Sequence, residues 1–97
     1  MKRDPRLPDL EQCETLGLAA LRFLAADGAR LGRFLAETGI GPAELRAAAG
    51  DAEVLVAVLE HLLADESLLL VFAAEAGVRP ERIAIVRYVL AGGAGQN

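Results

Sequence analysis

The residues that could do chemistry are few, and they are scattered along the chain. The 97 residues include one histidine, His61, and one cysteine, Cys13. A histidine can bind a metal or titrate near neutral pH, but no second His or Cys lies three or four residues from His61. A reactive cysteine needs a neighbour that stabilises its thiolate, and Glu11 and Glu14 disfavour one. We therefore expect His61 to be a packed or surface residue and Cys13 to be a buried apolar one.

Known catalytic and cofactor motifs are missing from the sequence. It has no glycine loop followed by lysine, no HExxH and no GxSxG. The sequence therefore predicts a non-enzymatic protein with no catalytic residues, no cofactor and no metal. Two acidic residues, Glu37 and Glu75, lie near predicted helix ends, and we interpret them as members of ion pairs. Glu37 is expected to pair with Arg33, and Glu75 with Arg79 or Arg82.

Residues 73–90 have the spacing of a helix-turn-helix motif. An alanine lies four residues before Gly77, an apolar residue follows this glycine, and another apolar residue comes five positions later. Two helices joined by any glycine turn share much of this pattern, and the net charge of −4 argues against nucleic acid as a partner. DNA binding is therefore the alternative function. Three basic residues lie in or near the second helix of the motif: Arg79, Arg82 and Arg87.

Composition predicts an all-α fold of a single domain. Hydrophobic residues make up 54% of the chain and aromatic residues only 4%, with alanine and leucine, both strong helix formers, predominating. The longest apolar run, at 68–74, is far shorter than the roughly 20 residues that a membrane span needs. The first residues contain no apolar stretch typical of a signal peptide. We expect a cytoplasmic protein without membrane contact.

The chain repeats itself at an offset of 38 residues. Shifting the sequence by this amount aligns residues 21–45 with 59–83 without a gap, with ten identical positions. Asp suits a helix N-cap, Gly a left-handed helix end and Pro the first turn of the next helix. The identities that this composition does not favour are Asp27 and Asp65, Phe34 and Phe72, Glu37 and Glu75, Gly39 and Gly77, and Pro42 and Pro80.

These signals predict a compact bundle of about six helices, built as two pseudo-repeated three-helix units. Asp9 and Gln12 form a capping box at the first helix, Gly50 ends the third and Asp51 caps the fourth. The domain spans residues 9–91, and residues 1–8 and 92–97 are expected to be flexible termini. The predicted helices are 10–25, 28–38, 42–49, 52–64, 66–76 and 80–91.

The fifth predicted helix is apolar on every side, so it belongs either in the core or under a partner. We expect the side chains of the fourth and fifth helices at the middle of the bundle. The function that we expect is regulatory or adaptor binding of another, unknown protein, and a homodimer is one form of that interaction. In the first unit, Arg30, Gly32 and Arg33 occupy the positions of Leu68, Leu70 and Val71. The candidate interaction surface comprises Leu68, Leu70, Val71, Arg79, Arg82 and Arg87.

Two segments resemble a known family. Residues 31–39 read LGRFLAETG and are followed by GPAELR, while residues 58–69 read VLEHLLADESLL and are followed by a Phe-Ala-Ala run. Together they resemble the small bacterial family labelled domain of unknown function 3572, whose helical members occur mainly in alphaproteobacteria. The resemblance covers about residues 10–91. It implies a bacterial cytoplasmic protein, and it implies no activity and no site residues.

Overall fold

The computed structural model describes residues 7–47 and 51–93. The six-helix, all-α prediction is confirmed. The predicted helical residues 48 and 49 and the predicted helix end at Gly50 lie outside the described residues, as do residues 1–6 and 94–97 of the predicted termini. The helices are α1 (Leu10–Ala25), α2 (Gly28–Thr38), α3 (Pro42–Ala47), α4 (Ala52–Leu63), α5 (Glu66–Ala76) and α6 (Pro80–Leu90).

Aspartate side chains start four of these helices. At α1 the Asp9 carboxylate accepts the backbone N–H of Gln12 at 2.8 Å, and the Gln12 side chain accepts the N–H of Asp9 at 3.0 Å. This is the predicted capping box. Each such cap satisfies a free N–H group and stabilises its helix by about 1 kcal/mol. The other three caps are Asp27 on α2, Asp51 on α4 and Asp65 on α5.

Glycines in the left-handed conformation end the second helix of each unit, as predicted. Gly39 has φ 74° and Gly77 has φ 69°, a region that side-chain-bearing residues rarely adopt. After α5 the N–H of Val78 donates to the carbonyl of Ala73 at 3.0 Å. Pro80 then starts α6, where its missing N–H has no helical partner to lose. Both turns therefore follow from local sequence alone.

Helices α1, α4 and α6 pack against one another and form the middle of the bundle. The expectation that α5 shares this central place with α4 is wrong. Only Phe72 and Ala73 of α5 are buried, because α5 packs along the outside of the three central helices. The fully buried large side chains are Phe34, Phe72, Leu24, Leu55, Leu59, Leu62, Ile83, Val58, Val86 and Cys13.

Both ends of the described chain are tied to the bundle. Gly92 takes φ 95°, and the N–H of Gly93 donates to the carbonyl of Tyr88 at 3.0 Å. At the other end Pro8 is buried and Leu7 packs against the core. These four residues lie just outside the predicted domain bounds of 9–91, which stay a prediction. No helix in the described ranges is both long enough and apolar enough to cross a membrane.

Helices α1 and α4 come into close contact at Gly17. A Cβ atom placed on this glycine would lie 3.2 Å from both Cβ and Cδ1 of Leu55. Gly17 is buried, and Leu55 is one of the large side chains that are fully buried. A side chain at position 17 would therefore displace Leu55. Because glycine has no Cβ, position 17 lets α1 and α4 approach closely without displacing Leu55.

The helix boundaries reproduce the 38-residue offset. Helices α2 and α5 begin and end 38 residues apart, and so do the starts of α3 and α6. Aromatic contacts also join the two predicted units in a reciprocal way. The ring of Phe23 lies 5.3 Å from that of Phe72, and the ring of His61, offset from Phe23 by 38, lies 5.4 Å from that of Phe34.

Two surface grooves show the same exchange. Leu16 of α1 and Val78 line a groove of about 500 Å³. Val54 of α4 and Ile40, each offset by 38 residues from these, line a groove of about 460 Å³. A two-fold relation between the units would produce such exchanged pairs. They support the repeat, which remains a prediction until residues 21–45 are superposed on 59–83.

The Gly17 contact predicts opposite effects for two glycine substitutions. Gly17→Leu overpacks the α1–α4 contact, and we expect it to lower the free energy of unfolding by about 2–3 kcal/mol. The control is Gly32→Ala, because a Cβ there meets nothing within 4 Å. It should raise the free energy by about 0.5–1 kcal/mol through helix propensity. Urea unfolding followed by circular dichroism measures both. Equal effects of the two changes would reject the close contact.

Candidate functional site

The three apolar residues of the predicted interaction surface differ in how exposed they are. Leu68 is partly buried against the core, whereas Leu70 is 48% exposed and Val71 is 42% exposed. Ser67 and Ala74 are also exposed. Residues three or four apart lie on the same helix face, so these four residues form one surface, the outer face of α5. Two exposed glutamates, Glu66 and Glu75, flank this face.

The equivalent face of α2 is an internal control for this surface. Under the 38-residue offset Leu70 and Val71 correspond to Gly32 and Arg33, which are also exposed. The two helices have the same length and the same kind of cap and end. The predicted repeat therefore indicates that packing at these positions accepts a polar or small residue and does not require Leu70 and Val71 to be apolar.

The three arginines of the predicted surface have different surroundings. The Arg79 side chain is 90% exposed, with Nε 3.9 Å from Oε1 of Glu81. Arg82 is exposed and lines the groove between α1 and α6. Arg87 instead donates from Nε to Oε2 of Glu60 at 3.0 Å, so it ties α6 to α4. Of these three arginines, Arg79 and Arg82 are the exposed ones that could contact a partner at the start of α6.

His61 is packed, and its partner was not predicted. Its side chain is only 7% exposed, and Nδ1 lies 3.0 Å from Oε1 of Glu37. Its ring meets the Phe34 ring edge-on, with an interplanar angle of 76°. The predicted pairing of Glu37 with Arg33 is therefore wrong. The carboxylate reaches across from α2 to α4, a contact that no local spacing could indicate.

The repeat also supplies a comparison for His61. The corresponding residue, Phe23, is buried and packs against Phe72, with the guanidinium carbon of Arg30 4.6 Å from its ring centroid. The same place in the fold thus accepts an apolar ring. A buried polar ring costs free energy unless its nitrogens are partnered. The mismatch between Phe23 and His61 was visible in the sequence and was the one signal that could have identified this site.

His61 borders a cavity of about 410 Å³ at the junction of α2, α4 and α5. Across the residues that the structure describes, no fully buried side-chain nitrogen or oxygen lacks a hydrogen-bond partner. No hydrogen bond from a described residue reaches Nε2 of His61, and His61 is one of the residues that line the cavity. Three carboxylates and one guanidinium share the lining. The lining residues are Arg33, Glu37, His61, Ala64, Asp65, Glu66 and Ser67.

Cys13 is fully buried, as predicted. Burial raises the pKa of the Cys13 thiol, an effect that Arg82 opposes and that Asp9 and Glu14 reinforce. The thiol therefore stays protonated at neutral pH, which disfavours a nucleophilic role. In the described ranges no three His, Cys, Asp or Glu side chains are grouped to hold a metal.

Glu75 does not form the ion pairs predicted for it. It is exposed on α5, and no other described residue forms an ion pair with it. Arg79, one of its two predicted partners, lies near Glu81 instead. The two carboxylates that the predicted repeat preserves, Glu37 and Glu75, thus have different surroundings, and Glu37 lines a cavity.

A family model described as a protein of unknown function (DUF3572) matches residues 10–93. No curated protein and no solved structure matches the chain. The matched range contains all six helices, the outer face of α5 and the His61 cavity.

Two substitutions at position 61 test whether the fold needs a histidine there. We expect His61→Phe, which copies the counterpart Phe23, to keep the free energy of unfolding within about 1 kcal/mol of the original. His61→Ala should lower it by about 2–4 kcal/mol, because the change leaves a cavity beside Phe34. Chemical denaturation measures both values. If His61→Phe lowers the free energy of unfolding as much as His61→Ala does, the fold requires a histidine at this position.

Proposed function

Since the chain belongs to the DUF3572 family, which is described only as proteins of unknown function, we propose from its geometry that it is a non-enzymatic regulatory or adaptor protein. It binds another protein through the outer face of α5, at Leu70 and Val71. The family membership confirms the resemblance found in the sequence and adds no activity to it. We also propose a cytoplasmic location, in keeping with a single, buried cysteine.

The observation that carries this proposal is the contrast between α5 and α2. Leu70 and Val71 are nearly half exposed, while the corresponding solvent-facing positions hold Gly32 and Arg33. Covering an apolar side chain recovers about 25 cal/mol for each Å² removed from water. Exposed apolar patches bounded by polar residues are typical of protein interaction sites. Because the predicted repeat indicates that packing accepts Gly and Arg here, a binding partner explains the Leu and Val.

Photo-crosslinking from the two equivalent faces tests the proposal. A benzophenone amino acid replaces Leu70 in one variant and Gly32 in the other, and both are expressed in the organism that encodes the chain. We expect a discrete adduct with another protein from position 70 and none from position 32, because only the α5 face is covered by a partner. Gel electrophoresis and mass spectrometry identify the adduct.

Position 32 is the matched control, because both sites are exposed on helices of identical length and capping. An adduct between two copies of the 10.2 kDa chain, confirmed by light scattering, would indicate a homodimer in place of a different partner. Equal labelling from positions 70 and 32, or none from either, would contradict the proposal.

A second candidate function is DNA binding through residues 73–90. The observation that favours it is the turn: Gly77 is left-handed, and α6 begins with two exposed arginines, Arg79 and Arg82. The face that α6 turns outward also carries Ile85 and Tyr88, which are 37% and 51% exposed. Arg87 is bonded to Glu60 and adds no free charge to this surface.

A gel-shift experiment at low salt distinguishes this function from protein binding. DNA binding predicts a shift that weakens as salt is raised, because each phosphate contact releases counterions. It also predicts that Arg82→Ala weakens the shift at least severalfold, while Arg46→Ala on the short α3 does not. No shift of a random duplex at low salt would reject DNA binding and leave the adaptor proposal in place.

A further inference from the structure

We propose that the outer face of α5 and the His61 cavity form one composite docking site for an amphipathic helix of a different protein. The partner helix places apolar side chains on Leu70 and Val71 and inserts a lysine or arginine side chain into the cavity. This inference rests on the proposed function and specifies the chemistry of the partner.

The two parts of the site are continuous through Ser67. Ser67 lines the cavity beside Glu66, and it is also the first exposed residue of the outer face. Leu70 and Val71 follow three and four residues later, one helical turn along α5. Ala74 is one further turn away, so the apolar stripe extends about 10 Å from the mouth of the cavity. A single partner segment can therefore contact both parts at once.

The charges around the cavity select a cation. Glu37, Asp65 and Glu66 contribute three carboxylates, and Arg33 contributes the only cation that is always charged. Of these carboxylates, Glu37 lies against Nδ1 of His61, and Oδ1 of Asp65 accepts the N–H of Leu68. The Glu66 side chain takes part in neither of these two contacts. An excess of negative charge in a recess favours an ammonium or guanidinium group from a partner.

The buried His61 is an independent indication of a ligand at this place. Nδ1 of His61 lies 3.0 Å from Oε1 of Glu37, so this side of the ring is occupied. Nε2 receives no hydrogen bond from a described residue, and in the neutral ring with the proton on Nδ1 it is an acceptor. An N–H of a lysine or arginine side chain supplies the missing donor. The counterpart Phe23 has no such nitrogen, which agrees with a role for His61 beyond packing.

A second copy of this chain does not fit the site as well. Helix α5 carries Glu66 and Glu75 and no basic residue. Two α5 helices packed face to face would bring glutamates close to glutamates in either direction, and neither copy would supply a cation to the cavity. A different protein whose helix carries a basic residue one or two turns from apolar ones matches both the charge and the spacing.

A display library of helical peptides tests the site without knowledge of the natural partner. The library is selected against the full chain, and binders are ranked by competition with a soluble excess of the same chain. We expect the enriched peptides to carry Lys or Arg one or two turns from a pair of apolar residues. For the strongest such peptide, replacing the basic residue with norleucine should weaken binding about tenfold, measured by calorimetry.

Variants of the chain then assign the contacts. His61→Phe and Glu66→Gln should each weaken the basic peptide severalfold and leave the norleucine peptide unchanged. Glu53→Gln, which removes an exposed carboxylate from another groove, is the matched control and should affect neither. Leu70→Ser with Val71→Ser should abolish binding of both peptides. Circular dichroism verifies that each variant is folded.

The outcomes separate this inference from the proposed function. Binders that lack basic residues, or that ignore His61→Phe and Glu66→Gln while still requiring Leu70 and Val71, would overturn the cavity and keep the α5 surface. Binders that do not require Leu70 and Val71, or a selection that yields no binder, would overturn the composite site. In that case the crosslinking result at position 70 decides the proposed function by itself.

Discussion

The close packing of α1 on α4 at Gly17 and Leu55 is the constraint on which the rest of the structure depends. These two helices can approach because position 17 has no Cβ, and a Cβ would meet Leu55 at 3.2 Å. Leu55 then fills the space between the helices and is fully buried. Both helices also pack against α6, so the three form the core, and α2 and α5 are placed against its outside.

Helices α2 and α5 occupy matching positions in the predicted repeat. Each follows a central helix after an Asp cap, buries one phenylalanine and ends at a left-handed glycine. Phe34 and Phe72 anchor them, and burying a phenylalanine side chain contributes about 1.5–3 kcal/mol. With so few buried residues on each, the remaining positions are free to vary. The exposed positions of the two helices can therefore differ without loss of these buried contacts.

Two such differences lie close together. The outer face of α5 has Leu70 and Val71 where α2 has Gly32 and Arg33, and His61 lies where the predicted repeat has Phe23. Both run against the usual preference, since an apolar side chain is exposed and a polar ring is buried. The N-terminal turn of α5, with Ser67, joins them. A docked helix with one basic side chain would satisfy both at once.

Local signals in the sequence determined the secondary structure of this protein. Asp caps, left-handed glycines and helix-starting prolines act within a few residues, so the six helices and their boundaries could be predicted. The all-round apolar character of α5 left its place undetermined, because hydrophobicity alone does not say which neighbours a helix will have. The tertiary structure placed α5 on the outside, paired Glu37 with His61 and tied Arg87 to Glu60. Those contacts join residues from different helices, so only the packing of the helices against one another decides which residues can meet.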